Sequence, residues 1–588
     1  MIRIMEKADK LSNMRHTLAH LLAAAAGEIY KFDKIKLTLG PAIENGFYYD
    51  IDFCDEKVTD SNLKKIEDVM RKKLSKWTEW EHKEISKDEA LKFFKNEYKA
   101  ELINEIAERG EKITTYTCGG FTDLCRGGHV ENPAKEIMPD SFKLDRIAGA
   151  YWRGDEKKRM LTRIYGLAFN TKEELGAYIA QREEAEKRDH RKIGQQLGLF
   201  TISEKIGKGL PLFTPQGTLL RELLNDYSQS LRAEKGWQKV WSPHITKNDL
   251  YKISGHWDKF GRELFLVKSQ ETSDELVMKP MNCPHHQQIY ASSLHSYKEL
   301  PIKYMETTTV YRDEKAGELL GLSRVRCITQ DDSHTFCTPD QIEKIYEELI
   351  EITQTFYKII GIKIRARLSF RNPNEPEKYL GEPKLWEKAQ EILLKTAKKN
   401  KLDYFEAIGE AAFYGPKIDF MGTDALGREW QLATPQLDFV QPKRFGLTYI
   451  DNEGKEQTPV MIHFALMGSI ERFLSVYIEH TAGIFPLWLS PVQVKVIPVR
   501  ENHNEYAKKV FKLLKENNIR AELDDTNQNL GTKVRDAKNN KVPYWIVIGD
   551  KEIEAKKLTL ESRDKGNIGQ MLQEKLVEKL LEEIKNKK

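Results

Sequence analysis

The sequence contains no apolar run that is long enough for a signal peptide or a membrane-spanning helix. No stretch reaches the roughly 18 consecutive apolar residues that a spanning helix needs, and the N-terminal MIRIMEKADKLSNMRH carries charges throughout. Six cysteines in 588 residues are too few for a disulfide framework, so reduced thiols are favoured and some are free to bind metal. We therefore expect a cytoplasmic protein that does not associate with a membrane.

The sequence also lacks an excess of charge of one sign. It holds 94 Lys and Arg against 90 Asp and Glu, a formal net charge of +4. A sum over the whole chain hides local patches, so this balance neither requires nor excludes a nucleic-acid partner. The hydrophobic fraction of 40% suits a folded protein, and the length predicts three or four domains.

Hydrophobic periodicity predicts a multidomain chain of the α/β and α+β classes. A helix is predicted from about Leu11 to Tyr30, followed by two strands joined at the turn signal Asn45-Gly46. A heavily charged helix begins at the capping pattern Thr171-Lys-Glu-Glu174, which suits a connector between domains. After a large mixed region, strands and helices alternate in the last hundred residues, which predicts a largely parallel sheet. The predicted boundaries are 1–170, 171–190 for the linker helix, 191–488 and 489–588.

Three segments of the central region carry residues suited to phosphate chemistry. The first is LRELLNDYSQSLRAEKGWQKVWSPHI, a long helix before a strand. The second, VYRDEKAGELLGLSRVRCITQDD, holds Arg312, Glu314, Arg324 and Arg326, and the third, GSIERF, holds Arg472. In this order they resemble the signature motifs of the class II aminoacyl-tRNA synthetases. The resemblance implies an antiparallel-sheet catalytic domain, ATP bound with magnesium, and a homodimer formed through the first motif.

The chemistry of amino-acid activation explains these residue types. Charge develops on the α-phosphate as pyrophosphate leaves, and arginine presents a planar charged fork that fits phosphate oxygens. By the resemblance, Arg312 holds the α-phosphate, Glu314 accepts from the adenine amino group, and Arg472 covers adenine. Arg324, Arg326 and Lys417 complete the predicted ATP site. A single arginine is as well explained by a surface ion pair, and only the ordered set favours the ATP site.

Cys283, His334 and His463 are candidate zinc ligands in the same region. Three such ligands leave a fourth position open, but their wide spacing equally suits a buried cysteine and two hydrogen-bonded histidines. The three positions match the zinc ligands of the threonyl-tRNA synthetase family, which implies one zinc per chain. An apolar pocket separates threonine from valine poorly, whereas a zinc that binds both the amino group and the hydroxyl would reject valine.

The same resemblance implies a threonine pocket. Its predicted members, with Asp332 accepting the substrate hydroxyl, are Gln330, Asp332, Tyr414, Gln431, Gln436 and Ser469. Two positions depart from the family pattern. His285 stands in Cys-Pro-His-His where Cys-Pro-Gly-His is expected, so it could compete as a ligand, and Phe464 follows His463 where an arginine is usual.

A second site is predicted near the N-terminus, because serine also has a hydroxyl and one missing methylene is worth only about 1–3 kcal/mol. His16 and His20 lie four residues apart, on the helix face nearly opposite the stripe of leucines, and so point toward a cleft. Cys125 and His129 repeat the spacing, with Asp123 beside them. The constellation resembles the editing domain shared by threonyl- and alanyl-tRNA synthetases, which hydrolyses mischarged seryl-tRNA, with or without a metal. The ubiquitin-like domain usual in the family is expected to be missing.

The C-terminal region resembles the α/β anticodon-binding domain of class IIa synthetases, which implies tRNA(Thr) as a partner. Asn527 and Glu552 match positions that read anticodon bases, through hydrogen bonds to exposed base edges. Each is otherwise explained as ordinary surface polarity. Glu561 stands where an arginine is expected.

Three other interpretations compete. A zinc hydrolase built on the HxxxH pair lacks the HExxH glutamate and leaves the arginines unexplained. A non-catalytic tRNA-binding paralogue is disfavoured by the intact Arg312, Glu314 and Arg472. A class II synthetase for another amino acid is disfavoured by Cys283, His334 and His463.

Overall fold

The computed structural model describes residues 2–54 and 56–588, with the side chains of 2–9 and 260 left undescribed. The chain forms two compact units, Met1–Glu183 and Glu184–Lys588. Among the described residues, no helix combines the length and apolar character needed to cross a membrane.

The first unit is built around a long helix and two antiparallel sheets. One sheet has the strand order Lys36–Leu37, Gly46–Asp52, Met160–Ala168, Phe142–Tyr151, with Ala42–Ile43 paired to Gly46–Asp52. The other has the order Glu81–Glu84, Thr114–Cys118, Phe121–Leu124. The helices are Ile2–Tyr30, Leu63–Leu74, Lys87–Phe93, Glu97–Glu108 and Pro133–Glu136.

The first helix confirms the predicted element and extends it toward the N-terminus. It runs from Ile2 to Tyr30, and every described side chain from Met14 to Gly27 is buried except that of His16. The predicted single apolar stripe is therefore too narrow, because the alanine-rich turns let other elements pack on the remaining faces. Small side chains allow such close approach at little entropic cost.

A helix at Lys172–Lys187 crosses the division between the units. The predicted cap is present, since the Thr171 hydroxyl accepts from the Glu174 N–H at 3.2 Å.

The second unit centres on a nine-stranded sheet, and an antiparallel sheet was predicted for this central region. The strand order is Gln238–Lys239, Ile302–Tyr311, Cys327–Cys337, Val460–Ser469, Thr434–Asp438, Lys417–Thr423, Lys363–Phe370, Tyr404–Ile408, with Glu429–Gln431 paired to Lys417–Thr423. The interior pairings are antiparallel, and only the two outermost are parallel. The longer helices that pack against it are Pro215–Glu234, Ile342–Ile360, Pro383–Lys399 and Ile470–Thr481.

Shorter elements surround this sheet. The helices are His190–Gln196, Asp249–Ser254, His256–Phe260, Cys283–Ala291 and Gln441–Arg444. The strand groups are Phe200–Thr201 with Leu212–Phe213, Ile245–Lys247 with Glu275–Met278 and Leu266–Lys268, and Tyr449–Ile450 with Glu456–Gln457.

The last hundred residues form a five-stranded sheet that is mixed, where a largely parallel one was predicted. The strand order is Ala521–Leu523, Val494–Pro498, Tyr544–Ile548, Lys557–Ser562, Gly566–Leu572, and the helices are Asn504–Glu516, Leu530–Asn539, Asp550–Ala555 and Gln573–Lys585. The first two pairings are parallel and the last two antiparallel. The unpredicted hairpin buries Leu558 and Leu560 on one face, which is the alternation of a half-buried antiparallel strand.

Candidate functional site

The structure brings Cys283, His334 and His463 together, although they are far apart in the sequence. Cys283 is the first residue of its helix, while His334 and His463 are direct partners on neighbouring strands of the large sheet. All three are buried, and their ligand atoms lie within 4.8 Å of one another. Strand pairing therefore supplies the proximity that sequence spacing does not show.

The hydrogen bonds of the two histidines leave a pair of nitrogen lone pairs facing each other. His463 Nε2 lies 2.9 Å from an Asp438 carboxylate oxygen, and His334 Nδ1 lies 2.8 Å from a ring nitrogen of His286. When these nitrogens donate, His334 Nε2 and His463 Nδ1, which are 3.0 Å apart, both present lone pairs. Two acceptors at that distance repel unless a cation lies beside them, so this donor set fits a zinc ion.

A chain of hydrogen bonds through His286 and Glu306 orients His334 from the side of its Nδ1 atom. Neither His286 nor Glu306 was predicted. His286 is fully buried, and its Nε2 lies 3.2 Å from Glu306, whose carboxylate also accepts from the Ser242 N–H at 2.6 Å. The predicted competitor, His285, lies outside the group of three ligand atoms. Burial lowers the pKa of His285 to about 4, so this side chain is neutral.

The predicted threonine-pocket residues flank this cluster. Gln330, Asp332 and His334 alternate along one strand and so share a face, and Gln330 is paired with Ser469. Asp332 accepts from Asn282 at 3.0 Å, and burial raises the pKa of its carboxyl group.

Aromatic and amide side chains of the predicted threonine pocket also lie beside the histidines. The Tyr414 ring stacks on His463 with centroids 4.9 Å apart, and the Tyr414 hydroxyl donates to the Gln436 side-chain oxygen. Gln431 donates to Asp419 at 2.8 Å, and the Lys417 ammonium lies 3.0 Å from the same carboxylate. Asp419 was not among the predicted site residues. The Ser469 hydroxyl caps the helix that follows it by accepting from the Arg472 N–H at 3.2 Å.

The predicted ATP residues provide an excess of positive charge. Arg312 is half-buried, desolvation lowers the pKa of its guanidinium, and its buried Nε has no hydrogen-bond partner among the residues that the structure describes. Arg324 pairs with Glu314 at 2.9 Å, and Arg326 donates to the Glu314 carbonyl oxygen at 3.0 Å. Burial and the like charge of Arg324 lower the pKa of Arg472. Guanidinium groups that converge in this way suit a polyanion.

The structure also brings the N-terminal candidates together, and all of them except His129 line one cavity. The ligand atoms of His16, His20, Cys125 and His129 lie within 4.8 Å of one another. The Cys125 thiol sulfur is 3.5 Å from His16 Nε2 and 3.4 Å from His129 Nε2, and His20 Nδ1 is 3.1 Å from Asp123. This cavity has a volume of about 470 Å³.

The side chains of this cluster shift one another's pKa values. Burial raises the pKa of the Cys125 thiol, but hydrogen bonds from His129, His16 and His20 outweigh it and lower the pKa to about 3. Burial lowers the pKa of His20, but its hydrogen bond to Asp123 outweighs this and raises the pKa to about 9. Both shifts favour the charged forms, the Cys125 thiolate and the His20 imidazolium.

Three residues that were not predicted hold this cluster in place. The Tyr49 hydroxyl donates to Asp123 at 2.7 Å, and the buried Lys99 ammonium donates to the other oxygen of the same carboxylate. The Trp80 ring stacks on His129, with centroids 3.9 Å apart and 13° between the planes. Lys99 lies on a heavily charged helix, so nothing in the sequence distinguished it from a solvated lysine.

Three segments of the chain match family models of known proteins. Family models match at residues 265–481, the tRNA synthetase class II core domain (G, H, P, S and T), at 493–583, the anticodon binding domain, and at 113–165, the threonyl and alanyl tRNA synthetase second additional domain. The threonine–tRNA ligase of Thermotoga neapolitana is 45% identical over 98% of this chain and 88% of its own length. That of Gloeobacter violaceus is 46% identical over 95% of this chain and 90% of its own length.

The chain belongs to the threonyl-tRNA synthetase family. A solved structure, the RNA binding domain of threonyl-tRNA synthetase from Cryptosporidium parvum, superposes with a TM-score of 0.64 at 35% identity. The superposed region covers 67% of this chain and 98% of the solved chain. The fold is thus an N-terminal editing-type domain, a class II catalytic core and a C-terminal anticodon-binding domain, as predicted.

Two departures from the threonyl-tRNA synthetase pattern have structural explanations. Phe464 points away from the metal-ligand candidates into the main core, where it is 2% exposed, so an apolar side chain suits the position. The Glu561 carboxylate accepts from the buried Trp545 indole N–H at 2.8 Å.

The predicted anticodon residues occupy different environments. Asn527 is exposed in the loop that follows Asp524, and Asp524 is anchored by the Lys495 ammonium at 3.2 Å. Glu552 accepts from the Gly549 N–H at 3.1 Å and from the Thr559 hydroxyl at 2.7 Å. Asn527 is thus the freer of the two to contact a base.

Proposed function

We propose that this chain is a threonine–tRNA ligase that activates L-threonine with ATP, transfers it to tRNA(Thr), and hydrolyses mischarged seryl-tRNA(Thr) at its N-terminal site. The observation that carries the proposal is the pair of facing nitrogens of His334 and His463. They lie on strands of the same sheet whose connecting loop and following helix carry the arginines. Neither a simple hydrolase nor a tRNA-binding protein needs both features.

In this proposal the arginines bind and orient ATP, which carries magnesium. Arg312 holds the α-phosphate, because its buried Nε has no partner of its own. Glu314 accepts from the adenine amino group and Arg472 covers the ring, while Arg324, Arg326 and Lys417 complete the site. The fixed positive charge stabilises the negative charge that develops as pyrophosphate leaves.

Cys283, His334 and His463 would hold one zinc ion per chain. Zinc bound there supplies an open Lewis-acid position that an amino group and a neighbouring hydroxyl can share. Asp332 accepts a hydrogen bond from the substrate hydroxyl, which valine cannot offer. Gln330, Tyr414, Gln431, Gln436 and Ser469 would line the rest of the pocket.

The N-terminal cluster would act as the second sieve. His16, His20 and Cys125 line one cavity, with His129 beside Cys125, and these groups can position a water molecule and the terminal ribose of tRNA. Asp123 orients His20. The same four groups also fit a metal ion, and hydrolysis at this site is proposed in either case.

The remaining assignments complete the proposal. Asn527 and Glu552 would read the anticodon, and the first class II motif would form a homodimer interface in the cytoplasm. The domain boundaries proposed are 1–170 for editing, 171–190 for the linker, 191–488 for catalysis and 489–588 for anticodon binding.

The direct test is ATP–pyrophosphate exchange with each of the twenty amino acids. Threonine should drive exchange strongly and serine weakly, while valine should give no more than background. The polar groups of the site would be left unpaired by valine, and such sites reject the analogue by about 10⁴-fold. Exchange with valine or proline at the threonine level would refute the assignment.

A further inference from the structure

A third group of ligand-type side chains, two of them buried and one half-buried, lies outside every site described above. It consists of Asp189, His190 and Glu479. His190 is 2% exposed; its Nδ1 lies 2.6 Å from a Glu479 oxygen, and its Nε2 accepts from the Leu322 N–H at 3.0 Å. Because Nε2 accepts, Nδ1 carries the proton and donates. Neither nitrogen keeps a lone pair for a metal, so His190 is a bridge between two elements.

One end of the bridge is the hairpin that carries the predicted ATP residues. Leu322 lies at the tip of a tight turn closed by the Leu320–Arg324 bridge, and its side chain is buried. Gly321 has a φ of +49°, and a Cβ there would lie 2.2 Å from His190 Nε2. The turn is therefore shaped to receive this imidazole.

The other end of the bridge is the helix that begins near Arg472. Glu479 lies on that helix and also accepts from Arg428 at 2.6 Å. Arg428 and the Trp430 indole N–H both donate to Asp424, at 2.7 and 2.9 Å.

That network reaches the adenine side of the predicted ATP site. The guanidinium of Arg472 lies over the Trp430 ring, 5.8 Å from its centroid. The Ser323 and Ser475 hydroxyls, 2.9 Å apart, form a second tie between the same turn and helix. His190 is thus shared by the element that carries Arg324 and the element that carries Arg472.

We propose that His190 is a positioning residue for ATP, which holds the Arg324 turn and the Arg472 helix at the separation that the nucleotide requires. The inference rests on the proposed ATP-dependent activity and adds a residue that does not touch the substrate itself. A lost hydrogen bond to the buried Leu322 N–H would let the turn move and leave that group unpaired.

The test compares His190→Ala, His190→Gln and His190→Asn with the unaltered full-length protein in threonine-dependent ATP–pyrophosphate exchange. A glutamine amide oxygen can take the place of Nε2 and accept from Leu322, whereas an asparagine amide reaches only the place of Nδ1 and keeps the Glu479 contact. The KM for ATP should rise about tenfold in the alanine and asparagine variants, the usual loss for one hydrogen bond to a buried group. It should stay within about threefold in the glutamine variant, with the KM for threonine nearly constant throughout.

Unchanged KM for ATP in the alanine and asparagine variants, or an equal rise for ATP and threonine, would overturn the inference. If the alanine variant does not fold, the glutamine–asparagine pair decides. Calorimetric titration of the same proteins with ATP and magnesium separates the two proposals. Absence of threonine-dependent exchange in the unaltered protein counts against the proposed function alone, while equal ATP affinities in the glutamine and asparagine variants count against the role of His190.

Discussion

At the scale of single residues, hydrogen bonds behind the metal-ligand candidates decide which ring nitrogen is free. Glu306 orients His286 and His286 orients His334, while Asp438 orients His463. Each contact fixes a tautomer and points the other nitrogen toward Cys283. The candidate metal site is therefore oriented by carboxylates that lie outside it.

The first prediction at this scale concerns Cys283. Cys283→Ser should lose the zinc, about one per chain in the unaltered protein, together with threonine-dependent exchange, because two histidines alone hold the metal poorly. Elemental analysis and exchange are measured on the same preparation. Cys327→Ser is the matched control, since Cys327 lies on the strand of His334 but outside the ligand group. Full zinc retention in Cys283→Ser would mean that the ligands are wrongly assigned.

The second prediction concerns the charge on Cys125, whose pKa is lowered to about 3. An acid with a lowered pKa stays ionised as pH falls toward that value, so alkylation of Cys125 by iodoacetamide should change by less than about twofold between pH 5 and 8. In the same protein unfolded in urea, the rate should fall about tenfold per pH unit below the ordinary thiol pKa of about 8.5. The rates are read by mass spectrometry of the Cys125 peptide after treatment with EDTA.

A tenfold loss per pH unit in the folded protein would show that Cys125 is an ordinary thiol. Such a result would remove the charged pair from the editing proposal.

The sequence could reveal residues that belong to motifs, but not residues that only the folding of distant segments brings together. Cys283, His334 and His463 were predicted through motifs, but Glu306, Asp438 and Asp419 were not, because strand pairing alone brings them into place. The expectation that His285 competes as a ligand missed a local signal. Residues 283 and 286 are three apart and share a helix face, whereas 285 points elsewhere.

At the scale of elements, the helix Ile2–Tyr30 carries the two histidines that are proposed for editing, and it forms the centre of its unit's core. Its position was predicted from periodicity, but its near-complete burial was not, since an alanine-rich helix gives a weak amphipathic pattern. In the C-terminal sheet, the strand Lys557–Ser562 with its alternating leucines was overlooked because a largely parallel sheet was expected there. This strand pairs antiparallel with Gly566–Leu572.

The prediction at this scale is that Leu22→Ala destabilises the first unit by about 2–5 kcal/mol, the cost of a cavity at a fully buried leucine. Seryl-tRNA deacylation should then be lost at a lower temperature than threonine-dependent exchange, because the two activities belong to different units. Ser12→Ala, at an exposed position on the same helix, is the control and should behave like the unaltered protein. Parallel loss of both activities in Leu22→Ala would contradict this separation.

At the scale of the whole molecule, the division into two compact units separates the predicted sites. The editing candidates lie in Met1–Glu183 and the activation candidates in Glu184–Lys588. Mutations at distant sites without shared partners have independent effects, so each reaction should fail alone. This independence is what correction of an activation error by a second sieve requires.

The most direct test of the account is to analyse which amino acid is attached to tRNA(Thr) after incubation with ATP and equal threonine and serine. The unaltered protein should yield threonyl-tRNA with little seryl-tRNA. His20→Ala should charge threonine at nearly the normal rate and accumulate seryl-tRNA in addition, because activation of serine continues while its hydrolysis fails. Persistent seryl-tRNA with the unaltered protein, or none with His20→Ala, would contradict the proposal that one site activates threonine and the other removes serine.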